Sequence, residues 1–235
     1  MAEELLRSGS VGAGSISFDV GLRAHMQRVF NYMGGGLALT GFVAFMVANT
    51  GLRDVIYGTA LRYVAMLAPF AFIMYMNIRV QAVSAAKLRT VFWFFCAAMG
   101  LSMGSIFLVY SQASVARAFF ITAATFAAMS LYGYSTKRDL TAMGSFMMMG
   151  LFGVMIAAVV NIFMMSSMLQ WMVSVAGVVI FTGLSAYDVQ RIKQTYAAGW
   201  GDEANDKLAV FGALSLYLSF INLFQFILSL TGDRR

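Results

Sequence analysis

Between Asp139 and Asp188 no residue of this chain carries a charge. That run far exceeds the roughly 20 residues a helix needs to cross about 30 Å of hydrocarbon. It must therefore hold two crossings. Ser166-Ser167, flanked by Asn161 and Gln170, supplies the polar turn between them. Asp188 closes the run, and a carboxylate there must reach water, find a partner or keep its proton, because hydrocarbon solvates ions poorly. Arg191 and Lys193 follow at once, which marks a cytoplasmic membrane boundary just beyond it.

The rest of the chain has the same character. Of 235 residues, 60% are hydrophobic and only 11% charged, with a mean hydropathy of +0.78. A soluble domain carries about 25% charged residues and cannot hide this much apolar side chain in one core. The solvent is therefore lipid, and the fold class is an all-α integral membrane protein. The net charge of +6 is scattered between apolar runs, which serves topology and excludes a nucleic-acid surface. The one cysteine, Cys96, lies inside an apolar run and reads as a small packing residue. The one histidine, His25, lies in the polar N-terminal segment, so no His-rich metal site exists.

Seven apolar spans follow one another: Val29–Asn49, Leu61–Ile78, Thr90–Tyr110, Ala118–Tyr134, Met143–Met165, Met168–Val189 and Leu208–Leu230. They divide the chain into a polar N-terminal tail (1–28), one seven-helix transmembrane domain (29–230) and a short C-terminal tail (231–235). The N-terminal tail has a Gly/Ser stretch at Ser8–Ser17 and lacks the apolar core and cleavage site of a signal peptide. It reads either as a short amphipathic helix near Phe18–Phe30 on the membrane surface or as unordered chain to about Gly21. Placing the N-terminus in the cytoplasm puts most basic residues inside, leaving Arg53, Arg62, Arg117, Arg234 and Arg235 outside. Arg234-Arg235 is the dissent: if Leu208–Leu230 re-enters, six crossings remain and the C-terminus is cytoplasmic. Gly34-Gly35-Gly36, Gly100 with Gly104, and Gly144 with Gly150 and Gly153 predict close helix approach. Pro69 should bend the second span.

Few motifs promise chemistry. Gly100-Leu-Ser102-Met-Gly104 matches the G-x-S-x-G pattern of a serine nucleophile. It has no base at hand, since His25 is in the tail, and small residues two apart in an apolar helix make a packing face. No second span supplies the other aspartate of an intramembrane protease. The nineteen methionines show no pairing around His or Cys and read as packing. The sequence predicts no enzyme and no cofactor.

What remains is a pair of polar stripes. At 100° per residue, Ser174, Gly177, Ser185 and Asp188 fall within about 80° of one another, and Ser215, Ser219, Asn222 and Ser229 do the same on the last helix. On consecutive antiparallel helices these stripes either face each other across a wet path with one ionisable group, or they are hydrogen-bonded glue.

Three segments resemble one family. Ser130-Leu-Tyr-Gly-Tyr-Ser-Thr-Lys-Arg-Asp-Leu140, followed by Met143-Gly-Ser-Phe146, is similar to the connection between the fourth and fifth helices of the transmembrane Bax-inhibitor-motif family. Leu184-Ser-Ala-Tyr-Asp-Val-Gln-Arg-Ile-Lys193 resembles its sixth-helix signature, and Leu214-Ser-Leu-Tyr-Leu-Ser-Phe-Ile-Asn-Leu-Phe224 its last-helix signature. The resemblance covers roughly Arg23 to Leu230 and suggests a bacterial member. It implies seven helices with the last central among the other six, and a pH-sensitive calcium leak gated by an aspartate dyad at the cytoplasmic mouth. The sixth-helix aspartate carries over onto Asp188. The last-helix position holds Ser219, so the dyad is broken.

A lone carboxylate lacks the like-charge repulsion that makes a pair switch near neutral pH. It also offers Ca²⁺ one negative charge where hard cations prefer several oxygens, leaving Asp188 a weak metal candidate and Ca²⁺ at most a permeant ion. The expected path or pH-sensing residues are Asp188, Ser219, Asn222, Ser185 and Ser215, with Arg79, Arg191 and Lys193 as charge partners of Asp188. The expectation is an inner-membrane leak channel with weakened calcium binding and pH gating. The alternative is a non-conducting regulator that binds a membrane quality-control protease or another membrane protein. Lipid is the partner common to both.

Overall fold

The computed structural model describes the backbone of residues 2–233 and the side chains of residues 20–197 and 199–233. Expectations for the side chains of the first 19 residues and for Arg234-Arg235 lie outside the described residues. The chain runs through α1 (Ala2–Asn49), α2 (Leu52–Tyr57), α3 (Leu61–Arg79), α4 (Ala85–Met103), α5 (Ile106–Val109), α6 (Gln112–Ser135), α7 (Thr141–Met164), α8 (Ser167–Thr195) and, after one 3₁₀ turn at Ala198–Trp200, α9 (Gly201–Thr231). Among the described residues, seven helices are long and apolar enough to cross a membrane: Val20–Asn49 of α1, α3, α4 with α5, α6, α7, α8 and α9. The short α2 lies in the connection between α1 and α3, and α5 extends the span that α4 begins.

Several helices outrun their apolar stretch. α8 continues two turns beyond Asp188, because Val189 and Ile192 keep a buried face. The aspartate therefore sits inside a helix instead of at its end. The turn between α7 and α8 is tighter than the serines suggest: Met165 adopts a left-handed φ of 50°, and its amide reaches the Asn161 carbonyl at 2.8 Å. The Asn161 side chain accepts from the Ser166 amide, and Ser166 caps α8 through the Leu169 amide. Pro69 lies mid-way in α3, which continues through it without a break.

α9 crosses fully. At one end Asp206 pairs with Arg28 and Glu203 accepts from the Ala85 amide. At the other end the Asp233 amide donates to the Ser114 hydroxyl at 3.0 Å, and the Asp233 carbonyl accepts from the Ser111 amide. These two ends define an Asp188 face and an Asp233 face of the bundle, and no re-entrant segment is needed.

α9 is also the most buried of the seven. It packs mainly against α1, α4, α6 and α8, while α3 leans on α4 and α7 on α8. Four of the other six crossings are thus in close contact with the last helix. The reason is in the sequence of α7: Phe146, Met149, Phe152, Ile156, Ile162 and Phe163 are large, apolar and exposed, so this helix lays one face on α8 and presents the rest to lipid. Close approach is real at some of the glycines. Gly100 lies on the Thr40 carbonyl and Val43, and Gly144 under the Tyr187 ring, whereas Gly34 and Gly153 have open space beside them. The tightest backbone contact pairs Gly133 of α6 with Ala186 of α8.

Candidate polar site on the seam between α8 and α9

Asp188 points from α8 toward α9. The Ser219 hydroxyl donates to its Oδ2 at 2.7 Å. Ser215, one turn earlier on α9, is a second hydroxyl partner, and Arg191, one turn later on α8, is the cation whose charge acts on it. The carboxylate is half-buried in the wall of a cavity of about 360 Å³ between α3, α8 and α9, which Asn77, Thr195 and Arg191 also line. One negative charge thus meets two hydroxyls and a cation at the mouth of a wet pocket. That arrangement can hold or pass a proton, or attract a cation.

The other expected residues are placed as follows. Ser185 is buried and donates to its own helix at the Phe181 carbonyl, 2.7 Å. Asn222 likewise donates to the Leu218 carbonyl at 2.8 Å. Lys193 donates to the Tyr134 carbonyl at 2.9 Å and lies over that ring, 4.9 Å from its centroid. Arg79 is exposed in the last turn of α3. Among the described residues, no three His, Cys, Asp or Glu side chains gather in a way that could hold a metal ion.

The stripes meet a second time near the Asp233 face. The Ser174 hydroxyl lies 3.0 Å from that of Ser229, which also accepts from the Gln170 amide at 3.3 Å. Gln170 in turn accepts from Asn161 at 3.2 Å. Between the two polar clusters the seam is apolar. The Phe226 ring rests on the bare backbone of Gly177 and stacks on Phe181 with centroids 5.8 Å apart and planes at 27°.

Three buried polar residues join helices far apart in sequence, and no local pattern singles them out. Gln190 accepts from the Leu140 amide and donates to the Arg138 carbonyl, both at 2.8 Å. It ties the Asp188 segment of α8 to the loop before α7, while Lys193 ties it to the last turn of α6. Thr40 donates to the Cys96 carbonyl at 2.8 Å and lies 2.7 Å from the Tyr217 hydroxyl. The threonine's one proton is committed to Cys96, so Tyr217 must be the donor between them. This places α9 against α1 and α4. His25, expected in a tail outside the bundle, is 3% exposed and faces the Tyr196 ring at 5.3 Å. The helix that carries it continues unbroken into the bundle. Ser102 of the G-x-S-x-G motif ends α4 near the Asp233 face. Its motif partner Gly100 touches Thr40, 15 residues or roughly 22 Å along α1 from His25, so no base stands near this serine.

The three segments noted in the sequence therefore converge around Asp188: residues 130–140 through Gln190 and Lys193, and the last helix through Ser219. Comparison with known proteins shows the family. The profile of the family described as Inhibitor of apoptosis-promoting Bax1 matches residues 22–235. The RP147 protein of Rickettsia prowazekii is 41% identical over 220 residues, 93% of each chain. The inner membrane protein YbhL of Escherichia coli K12 is 39% identical, covering 92% of this chain and 94% of its own. A membrane protein of Streptococcus pyogenes serotype M1 is 36% identical over 91% of this chain and 94% of its own. This chain belongs to the Bax inhibitor family.

Proposed function

We propose that this member of the Bax inhibitor family is a multi-pass inner-membrane protein that lets cations leak along the α8–α9 seam, with Asp188 as the charged residue on the path. The observation that carries the reading is the Asp188–Ser219 pair opening onto a cavity at the face where the loops gather basic residues. By the positive-inside rule that face is cytoplasmic, as is the N-terminus. The inner-membrane name of the Escherichia coli relative supports the location. Ca²⁺ is the permeant ion suggested by family likeness. It is held weakly, because Ser219 contributes a neutral oxygen where a second carboxylate would add charge. For the same reason any pH response is weaker than that of a paired site. The reading assigns no enzymatic step to the chain.

A second reading, a non-conducting regulator of a membrane protease or other membrane protein, is favoured by the apolar layer at Phe181 and Phe226 and by the single carboxylate. Purified protein in liposomes loaded with a calcium dye separates the two. Calcium entry that disappears in Asp188→Ala supports the leak. No entry above empty liposomes, from acidic to alkaline pH, overturns it. For the regulator, deleting residues 1–20 is expected to weaken co-purification with the protease, and unchanged recovery counts against that tail as the contact.

A further inference from the structure

The polar stripes of α8 and α9 are interrupted at one level only. From Ser219 to Ser229 the helix rises roughly 15 Å. Across this interval the polar groups on the seam bond backward onto their own helices: Ser185 to the Phe181 carbonyl and Asn222 to the Leu218 carbonyl. On the Asp188 side of the interval lies the cavity of about 360 Å³. On the other side, a second cavity of about 330 Å³ is lined by the uncharged polar side chains of Gln170, Gln225, Ser229, Ser102 and Ser105 together with apolar ones such as Met103 and Leu228. Phe226 lies between them, its ring seated where a side chain at position 177 would stand and stacked on Phe181. Gly177 is part of the polar stripe by position, but what it provides is the notch that receives this ring. Phe226 is only partly buried, so its ring is not enclosed on every side.

We propose that Phe226, seated on Gly177 and stacked on Phe181, is the closed gate of the α8–α9 seam, separating an acid-lined compartment at Asp188 from a neutral compartment at Gln170, Gln225 and Ser229. It works by excluding water, as apolar constrictions do. Opening requires rotation of one aromatic side chain rather than separation of the helices, which stay joined by Asp188–Ser219 and Ser174–Ser229. This inference rests on the leak reading for its physiological meaning, but its geometry is testable without conduction.

The test places a cysteine at Asn222, between the gate and Asp188, in a Cys96→Ala background. A charged, membrane-impermeant thiol reagent is added from the Asp233 face of reconstituted vesicles. With Phe226 intact the cysteine is expected to stay unmodified; with Phe226→Ala it is modified. Phe226→Leu keeps apolar bulk and is expected to stay closed. Phe181→Ala, which removes the stacking partner and leaves the ring, is the second variant should Phe226→Ala fail to fold. Modification that is already complete with Phe226 intact, or absent in both Phe226→Ala and Phe181→Ala, overturns the gate.

Calcium flux in the same vesicles distinguishes this from the leak reading. Under that reading, Phe226→Ala raises Asp188-dependent flux about tenfold, the change that ~1.4 kcal/mol off a barrier produces. Access without flux keeps the gate and overturns the leak. Asp188-dependent flux that Phe226→Ala alters in neither rate nor access overturns the gate and keeps the leak.

Discussion

The Ser219 hydroxyl donates a hydrogen bond to the Asp188 carboxylate across the α8–α9 seam at 2.7 Å. Position 219 is 5% exposed, and the bond joins the most buried helix to the one that carries the only carboxylate on the seam. The relationship makes position 219 the sharpest handle on this site.

Ser219→Ala removes a hydrogen bond to a charged group and leaves a half-buried carboxylate with Ser215 as its remaining hydroxyl partner. The expected cost is about 1.5–3 kcal/mol, read as a lower melting temperature in detergent at neutral pH. Ser219→Asp restores a dyad, and two carboxylates at hydrogen-bond distance titrate as a unit. Under the leak reading, calcium flux is expected to rise and to become more strongly pH-dependent than that of the parent. An unchanged flux and pH profile would show that the two positions do not act together.

The helical phase of two stripes was enough to bring Asp188 and Ser219 together on paper, because residues on one rigid helix keep fixed angular relations. Seven crossings were legible for a similar reason: the apolar runs match the thickness of a bilayer. Which four helices contact α9 closely was not legible. It depends on which lipid-compatible helix faces stay exposed, and hydropathy treats a side chain facing lipid and one facing another helix alike. The buried burden of His25, Thr40 and Gln190 was equally hidden, since each finds its surroundings on a helix or loop far away in sequence.

Thr40 and Tyr217 provide a test of hydrogen-bond direction. Tyr217→Phe removes one donor and leaves Thr40 still bonded to the Cys96 carbonyl, at a cost of about 0.5–1.5 kcal/mol. Thr40→Val strands the buried Tyr217 hydroxyl, while the Cys96 carbonyl keeps its partner within α4, and is expected to cost more, about 1–3 kcal/mol. Melting temperatures of the two variants in one detergent decide the order. If Tyr217→Phe proves the more damaging, the direction assigned to this chain of bonds is wrong.

Gln190 uses both ends of its amide, accepting from Leu140 and donating to Arg138. Gln190→Glu keeps the size but sets an acceptor against the Arg138 carbonyl. It is expected to destabilise the loop before α7 by about 1–3 kcal/mol, with faster hydrogen exchange at the Leu140 amide. Exchange indistinguishable from that of the parent would mean that the side chain does not hold the loop.

His25 is buried with neither ring nitrogen bonded among the described residues. A neutral imidazole carries one N–H, so a buried donor goes unmet at a cost of about 1–3 kcal/mol. His25→Phe removes the donor and keeps a ring against Tyr196, and the melting temperature is expected to hold or rise. A clear fall at neutral pH would reveal a partner for the imidazole.

Asp139 supplies the prediction for pH. It lies outside the membrane-spanning helices, and its Oδ1 accepts from the Thr141 hydroxyl at 2.6 Å and the Thr141 amide at 2.9 Å at the start of α7. These two bonds, the side-chain one first, hold its carboxyl below the ordinary carboxylate value. A carboxyl whose folded-state value is depressed contributes stability that is fully present above its unfolded-state value and is lost as pH falls through the folded one. The parent should therefore be more stable than Asp139→Asn at neutral pH, and the gap should close progressively as pH drops through and below the ordinary carboxylate range. The group is fully exposed, so salt should narrow the gap as well. Melting temperatures of both proteins across that range, at two ionic strengths, provide the measurement. A gap that stays constant in acid would mean that the bonds to Thr141 do not favour the ionised form.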